Sequence, residues 1–390
     1  MEQQKMKNNT PRILLLMGTS HGYGRDLIDG ISQYLYEFGC RVDFDFRGHR
    51  EEIPSWVKDW RGDGIIVRHH LSSTFRLLDK MKIPYVKLNC DCKEVSPSDV
   101  DVDEEAICEM ALSHFCERGL EHFAYFAECD QYWTQKRAEA FIHTVKKRGA
   151  NPFVHIASAE TIIPFNTWKP AEKKRLIHWL RDLPKPIGLL TAYDMHAKLI
   201  LDICEEEGIA IPNEIAVLGI NNEEWFCRIQ RHPLSSIIQN AREAGYQAAK
   251  LICEKIEGKN IDSQPILIPP ISVFARRSTD LIAVQDEDLV AAFRMIRENW
   301  GIGISIEDLV QEIGLSRRTL ERKFRKQFGK SIGEEIIRLR MERARELLRE
   351  TNLPIGNIAR KLGFCSHSYF VHAFCKQTKE TPGEYRIHFR

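Results

Sequence analysis

Hydrophobic positions follow two different rhythms along this chain. Between residues 11 and 268, short apolar runs alternate with stretches whose apolar residues recur every three or four positions. Arg12–Met17 is the first such run, and Leu27, Ile31 and Leu35 mark the helix behind it. Val42–Phe46, Gly64–Val67 and Tyr85–Leu88 predict further strands with helices between them. A helix is expected from after Asp103 to about Arg118, a strand at His122–Ala127 and a helix at Trp133–Arg148. Gly188–Thr191, Ile215–Ile220 and Ser236–Ile238 continue the alternation. Strands alternating with helices of this length imply parallel sheets covered on both faces. Such sheets bind ligands at the carboxyl ends of their strands, where this chain has Thr19–Arg25, Asp103, Asp194 and Asn221–Glu223.

The last hundred residues carry one helical pattern twice. Ile306, Leu309, Val310 and Ile313 share one helix face, Gly314 makes a turn, and Ser316 can cap a helix that buries Leu320 and Phe324. Ile355, Ile358, Ala359 and Leu362 repeat that spacing. Gly363, Ser366, Phe370 and Phe374 follow at matching offsets. Two short amphipathic helices joined at a glycine form the helix-turn-helix signature, whose second helix enters the major groove. Between the units, Ser331–Arg349 reads as one helix of about 28 Å. Nearly one turn of B-DNA is about that long, so both recognition helices can enter successive grooves.

Composition sharpens this division. The 390 residues are enough for two or three domains, and 43% hydrophobic with 28% charged residues is ordinary for a globular protein. The formal charge of +1 conceals an asymmetry: residues 281–390 hold 20 Lys and Arg against 15 Asp and Glu, leaving 36 against 40 for residues 1–280. The basic end is the one with the helix-turn-helix pattern, as phosphate binding requires. Arg318, Arg322 and Arg325 lie on the helix face opposite Leu320 and Phe324; the bland alternative is a solubilising charged face. No apolar run is long enough to span a membrane and Met1–Thr10 lacks a signal-peptide core, so a cytoplasmic protein is expected. Eleven scattered cysteines suit thiols in a reducing compartment, and Cys90 and Cys92 alone make no metal site.

Enzyme chemistry finds little support. Gly18-Thr19-Ser20-His21-Gly22-Tyr23-Gly24 follows a strand but lacks the Gly-Lys-Ser/Thr ending of a phosphate loop. The adjacent His69 and His70 cannot share a helix face, and no nucleophile elbow occurs. No cofactor or metal is expected. The division reads as a polar tail (1–10), a two-lobed sensor (11–280), a linker (281–288) and a double helix-turn-helix domain (289–390). Pro265, Pro269 and Pro270 punctuate the sensor's end before Arg276-Arg277-Ser278-Thr279-Asp280.

Gly314-Leu315-Ser316, Arg343-Ala344-Arg345-Glu346-Leu347-Leu348, Gly363-Phe364, Ser368-Tyr369-Phe370, Phe374 and Thr381-Pro382-Gly383-Glu384-Tyr385-Arg386 resemble the AraC/XylS family of DNA-binding domains. Asp101-Val102-Asp103, Gly188–Asp194 and Val217–Asn222 resemble the sugar-binding core of LacI/GalR-type repressors, which is similar to periplasmic binding proteins. Joined in this order, without an N-terminal helix-turn-helix, the two are similar to the xylose-operon regulators. Gly219–Glu224 and Gly245–Leu251 add to that closer likeness.

The resemblance implies roles for particular residues. Arg318 and Arg322 match base-reading positions, and arginine can donate two hydrogen bonds to guanine. Arg317 and Arg325 suit phosphates. On the second unit the matching face carries His367, Ser368 and His372, and Cys375 replaces the family's usual lysine. In the sensor, Arg137 stands where LacI/GalR proteins place a sugar-binding arginine. Asp103, Asp194 and Asn221 follow strands and can bond hydroxyls, with Asp103 equally suited to cap the helix at Glu104. Asn221 replaces the aspartate usual in sugar-binding relatives, and an amide donates as well as accepts. Trp133 and Tyr23 are candidate stacking rings, as is Tyr132. The resemblance implies a sugar-responsive activator in which a pentose such as D-xylose closes the cleft. It further implies a homodimer on double-stranded operator DNA and contact with RNA polymerase.

Overall fold

A computed structural model describes residues 10–18, 21–45, 52–90, 99–128, 132–157, 170–259, 264–281, 286–299, 304–378 and 380–388. The tail at 1–9 and residues 282–285, half of the expected linker, lie outside these residues. Contacts divide the chain into two compact units, one holding residues 1–112 and 122–279, the other 113–121 and 280–390.

In the first unit, β1 (Arg12–Leu16), α1 (Gly22–Phe38), β2 (Arg41–Asp45), β3 (Gly64–Val67), α2 (Ser72–Met81) and β4 (Tyr85–Lys87) build one lobe. Its sheet is parallel, in the order β2-β1-β3-β4. Successive side chains of a strand point to opposite faces. Ile13 and Leu15 of β1 therefore join the core under α1, while Leu14 and Leu16 join a second core with Phe75 and Leu78 of α2. A strand apolar at every position fits a parallel sheet covered on both sides.

Strand β5 (Val100–Val102) carries the chain through α3 (Glu104–Cys116) into the second lobe. That lobe contains β6 (His122–Glu128), α4 (Tyr132–Lys147), β7 (Pro152–Ala157), α5 (Pro170–Asp182), β8 (Ile187–Thr191), α6 (Asp194–Glu206), β9 (Ile215–Ile220), α7 (Glu224–Ile229) and β10 (Ser235–Ile238). The chain returns to the first lobe as α8 (Ala241–Ile256), whose Ala244, Ala248 and Ile252 complete the core under β1. Then β11 (Ile266–Ile268) pairs with β5, and β12 (Ser272–Phe274) closes the second sheet in the order β12-β10-β9-β8-β6-β7. Helices α1 and α8 pack at glycine: a Cβ on Gly30 would lie 1.9 Å from the Arg242 carbonyl oxygen, and one on Gly245 2.0 Å from that of Leu27.

The second unit holds α9 (Glu287–Asn299), α10 (Ile306–Ile313), α11 (Arg317–Phe328), α12 (Ile332–Glu350), α13 (Ile355–Lys361), α14 (His367–Thr378) and α15 (Pro382–His388). Ser305 and Ser331 form capping boxes with Asp308 and Glu334, and Ser316 caps α11 through the Thr319 N–H. Gly314 and Gly363 adopt φ of 75° and 71°, the left-handed turn between the two helices of each pair. The unit has two small cores. Leu309, Leu320 and Phe324 pack with Leu289 and Phe293 of α9 in one, and Ile358, Leu362, Phe370 and Phe374 pack in the other. Helix α12 serves both, giving Ile332 and Ile336 to the first and Met341, Ala344 and Leu348 to the second.

Candidate ligand cleft and nucleic-acid interface

The ends of the strands in the first unit converge on a cleft with residues from both lobes. Tyr23, Arg68, His70, Asn89 and Cys90 line it from the first lobe, Trp133, Lys136, Arg137 and Asn221 from the second, and Asp101, Val102, Glu104 and Gln239 from the crossover segments. Four residues singled out in the sequence are thus brought together: Arg137, Trp133, Asn221 and Tyr23. Asp103 and Asp194 are not among the lining residues.

Arg137 is 3% exposed, and each of its three guanidinium nitrogens donates a hydrogen bond. Its Nε and Nη2 fork onto the Glu104 carboxylate at 2.5 and 3.0 Å, its Nη1 donates to the Ala192 carbonyl at 2.5 Å, and its guanidinium lies 5.0 Å from the centre of the Trp133 ring. Burial raises the Glu104 carboxyl above its ordinary range, and the Arg137 charge opposes that rise. Lys136 pairs with Asp101 at 2.8 Å. The cleft floor is thus two ion pairs under an indole, a surface that holds fixed donors and acceptors toward a polyhydroxylated ligand.

On the facing lobe, the Asn89 amide donates to the Tyr23 hydroxyl, and Arg68 lies 5.4 Å from that ring. Burial pushes the Tyr23 hydroxyl up to about 12, so it stays protonated. Asn89 and Asn221 both turn the chain at strand ends with left-handed backbones, φ 46° and 102°. Asparagine tolerates such angles better than most residues. Asn221 is fixed further by its N–H to the Ile237 carbonyl (2.9 Å) and by the Gln239 amide, which donates to its Oδ1 at 2.5 Å.

The two aspartates do other work. Asp103 Oδ1 accepts the Ala106 N–H at 2.9 Å, capping α3. Asp194 lies beneath the loop after β9, accepting from Ser236 Oγ at 2.6 Å and from the Glu223 N–H at 2.8 Å. Glu223 in turn bridges the lobes: its Oε2 accepts the Gly22 N–H at the start of α1 at 2.7 Å, and Arg25 reaches its Oε1 at 3.4 Å. Sequence reading passed over Arg68, Asn89 and Gln239, although each stands within two residues of a strand end. The same rule that selected Asn221 points to them.

In the second unit, Arg317, Arg318, Arg322 and Arg325 are all exposed on α11 while Leu320 and Phe324 are buried. Arg317 is anchored to Glu307 at 2.6 Å, and Lys323 to Asp286 at 2.9 Å and Asp288 at 2.5 Å. Arg318, Arg322 and Arg325, at i, i+4 and i+7, share one exposed face of α11. On α14, His367, Ser368 and His372 are exposed, and so are Tyr369 and Lys376, which the sequence reading did not place among the DNA contacts. Among the described residues, no group of acidic, histidine and cysteine side chains is placed to hold a metal, and no helix is long and apolar enough to cross a membrane.

Comparison with known proteins follows the same division. The periplasmic binding protein-like domain family matches residues 112–279 and the helix-turn-helix domain family residues 309–387. The xylose operon regulatory protein of Escherichia coli is 33% identical over 386 residues, covering 96% of each chain. That of Haemophilus influenzae is 32% identical, covering 96% of this chain and 98% of its own. A solved xylose-binding transcription activator superposes with a TM-score of 0.62 at 30% identity, covering 98% of this chain and 99% of its own. The operator-bound lac repressor dimer shares the fold of the first unit, at TM-score 0.55 and 16% identity over 71% of this chain.

Proposed function

The chain belongs to the family of xylose operon regulatory proteins, and from that premise we propose that it is a sugar-responsive transcription activator. It takes a pentose, D-xylose first among them, into the cleft between its lobes and reads operator DNA with α11 and α14. One observation carries this reading above the others: a two-lobed cleft floored by the Arg137–Glu104 and Lys136–Asp101 ion pairs and a doubled, serine-capped helix-turn-helix stand on one chain similar to xylose regulators over 96% of its length.

In this reading Trp133 stacks on the apolar face of the sugar, and Glu104, Asp101 and Asn221 bond its hydroxyls. Arg137 acts through Glu104, holding the carboxylate charged and oriented. On DNA, Arg318 and Arg322 read bases in the major groove, and Arg317 and Arg325 contact phosphates. The α14 surface, with His367, Ser368 and His372, adds a weaker contact one groove away. A homodimer places such pairs on repeated half-sites, and sugar selects the arrangement that recruits RNA polymerase. A ligand shifts that balance only through its preference for one state.

Calorimetric titration with D-xylose tests the sensor half. Saturable one-site binding, lost in Glu104→Ala, supports it. Folded protein that gives no heat with xylose but binds another pentose assigns a different sugar, as the asparagine at 221 would favour. Folded protein that binds no pentose overturns the sugar reading.

A further inference from the structure

The chain leaves the first unit through Arg276–Thr279, and hydrogen bonds knit this exit to β9 and β10. Ser278 Oγ donates to the Val217 carbonyl of β9 at 2.6 Å and accepts the Ser235 N–H of β10 at 2.8 Å. The Arg276 N–H donates to Ser235 Oγ at 2.7 Å, and Ser235, Ser278 and Thr279 are fully buried. From this fixed backbone the Arg276 side chain reaches the turn after β9. Its Nη1 donates to Asn222 Oδ1 and to the Leu234 carbonyl, each at 2.8 Å, and its guanidinium lies 4.0 Å from the centre of the Phe274 ring.

That turn is under strain. Asn221 and Asn222 are both left-handed, φ 102° and 50°, and such backbones persist only where surrounding contacts hold them. The Asn222 N–H donates to Ser236 Oγ at 2.9 Å and the Glu223 N–H to Asp194 at 2.8 Å, so the backbone is held from β10 and α6. The Asn222 side chain is held by Arg276. On either side of it, Asn221 lines the cleft and Glu223 bridges the lobes. We propose that Arg276 is a positioning residue for the ligand cleft: through Asn222 it keeps the Asn221 amide in its ligand-facing form.

Two readouts test this, and only the second rests on the sugar reading of the cleft. The first is hydrogen–deuterium exchange of the folded full chain without ligand. Arg276→Met keeps the stem over Phe274 and removes the donors, so exchange at 221–223 should quicken several-fold while β3 exchanges as before. Asn222→Gly removes the acceptor, keeps the left-handed backbone accessible and should do the same. The double variant should be no faster than Asn222→Gly, because Arg276 acts through that one side chain. The second readout is the D-xylose dissociation constant, which should rise roughly three- to tenfold in each single variant, again without addition in the double. Asn222→Asp restores an acceptor and should recover most of what Asn222→Gly loses, which keeps the comparison decisive should Arg276→Met not fold. The neighbouring, exposed Arg277 serves as control, and Arg277→Gln should change neither number. Unchanged exchange at the turn in Arg276→Met, additive losses in the double variant, or no recovery in Asn222→Asp would each overturn the proposal. Wild-type protein that is folded but silent with xylose overturns the sugar assignment instead, and the exchange series then decides the role of Arg276 by itself.

Discussion

Asp194 is buried to 2% exposure beneath the cleft, and desolvation raises its carboxyl to about 7 despite the hydrogen bonds from Ser236 and the Glu223 N–H. A carboxyl raised above its unfolded value of 3.8 binds its proton more tightly when folded, so the sensor should lose stability as pH rises from 3.8 to about 7. The full difference is on the order of 4 kcal/mol. Asp194→Asn should flatten that slope, and thermal unfolding of the sensor at several pH values measures it; an unchanged slope would assign the dependence elsewhere. On the proposed DNA-reading face of α11, Arg322→Ala should weaken operator binding by about 1–3 kcal/mol and leave sugar binding intact. Equal loss of both activities would mean misfolding instead. The placement of single residues was legible where a chemical type coincided with a strand end or a helix face: Asn221 lines the cleft and Arg322 lies exposed on α11. Asp103 and Asp194 satisfy the same rule. A strand-end carboxylate, however, can turn toward a ligand, a helix N-terminus or a neighbouring loop, and one sequence does not distinguish these. Glu104 escaped notice because its importance comes from Arg137, 33 positions away.

At the scale of elements, α12 holds an unusual group. Glu335 is fully buried between Arg338 at 2.6 Å and Lys330 at 2.7 Å. Burial alone would raise its carboxyl, but the hydrogen bonds and charges of Arg338 and Lys330 outweigh it and hold it at about 2. A carboxylate depressed in this way stabilises the fold above its unfolded value of 4.5, and that contribution fades as pH falls toward about 2. Glu335→Gln should therefore destabilise the helical unit by about 3 kcal/mol near neutral pH, since removing one partner strands the other charges. The gap from wild type should narrow in acid, and denaturant unfolding at pH 7 and pH 3 checks both statements. Gly245→Ala should cost about 1–3 kcal/mol by driving α8 off the Leu27 carbonyl, read as a lower unfolding midpoint. The elements with long, regular patterns, from β1 to α14, were legible within a residue or two. Strands β5, β11 and β12, of three residues each, were not; β4 is as short but was legible because it lies within the longer apolar run Tyr85–Leu88. Strand β7 begins at Pro152 and pairs only at the sheet's edge, where its side chains stay half-exposed and blur the apolar run.

For the whole molecule, the proposed function requires sugar binding and DNA binding to be linked reciprocally. Whatever factor sugar adds to operator affinity, operator adds to sugar affinity. The lobes meet through Glu223, which carries the Gly22 N–H and Arg25 from one lobe and is held on the other by Asp194. A carboxylate at the first N–H of α1 is favoured by the helix dipole as well as by the hydrogen bond. Under the proposed closure of the cleft, this contact adds to the stability of the closed arrangement and contributes nothing to an open one. Glu223→Gln keeps the shape and an acceptor oxygen but removes the charge, a difference of about 1.5 kcal/mol for a hydrogen bond to a charged group. Sugar affinity should then fall roughly tenfold, because part of the binding free energy goes into closing the cleft. Operator affinity without sugar should stay as it was. The sugar concentration that half-saturates the DNA response should rise by the same factor as the dissociation constant, since both report one closing equilibrium. Calorimetry and an operator titration on the same preparation compare the two numbers. A tenfold change in sugar affinity with no shift in the DNA response would uncouple cleft closure from DNA reading. The switch would then have to lie in a motion that Glu223 does not control.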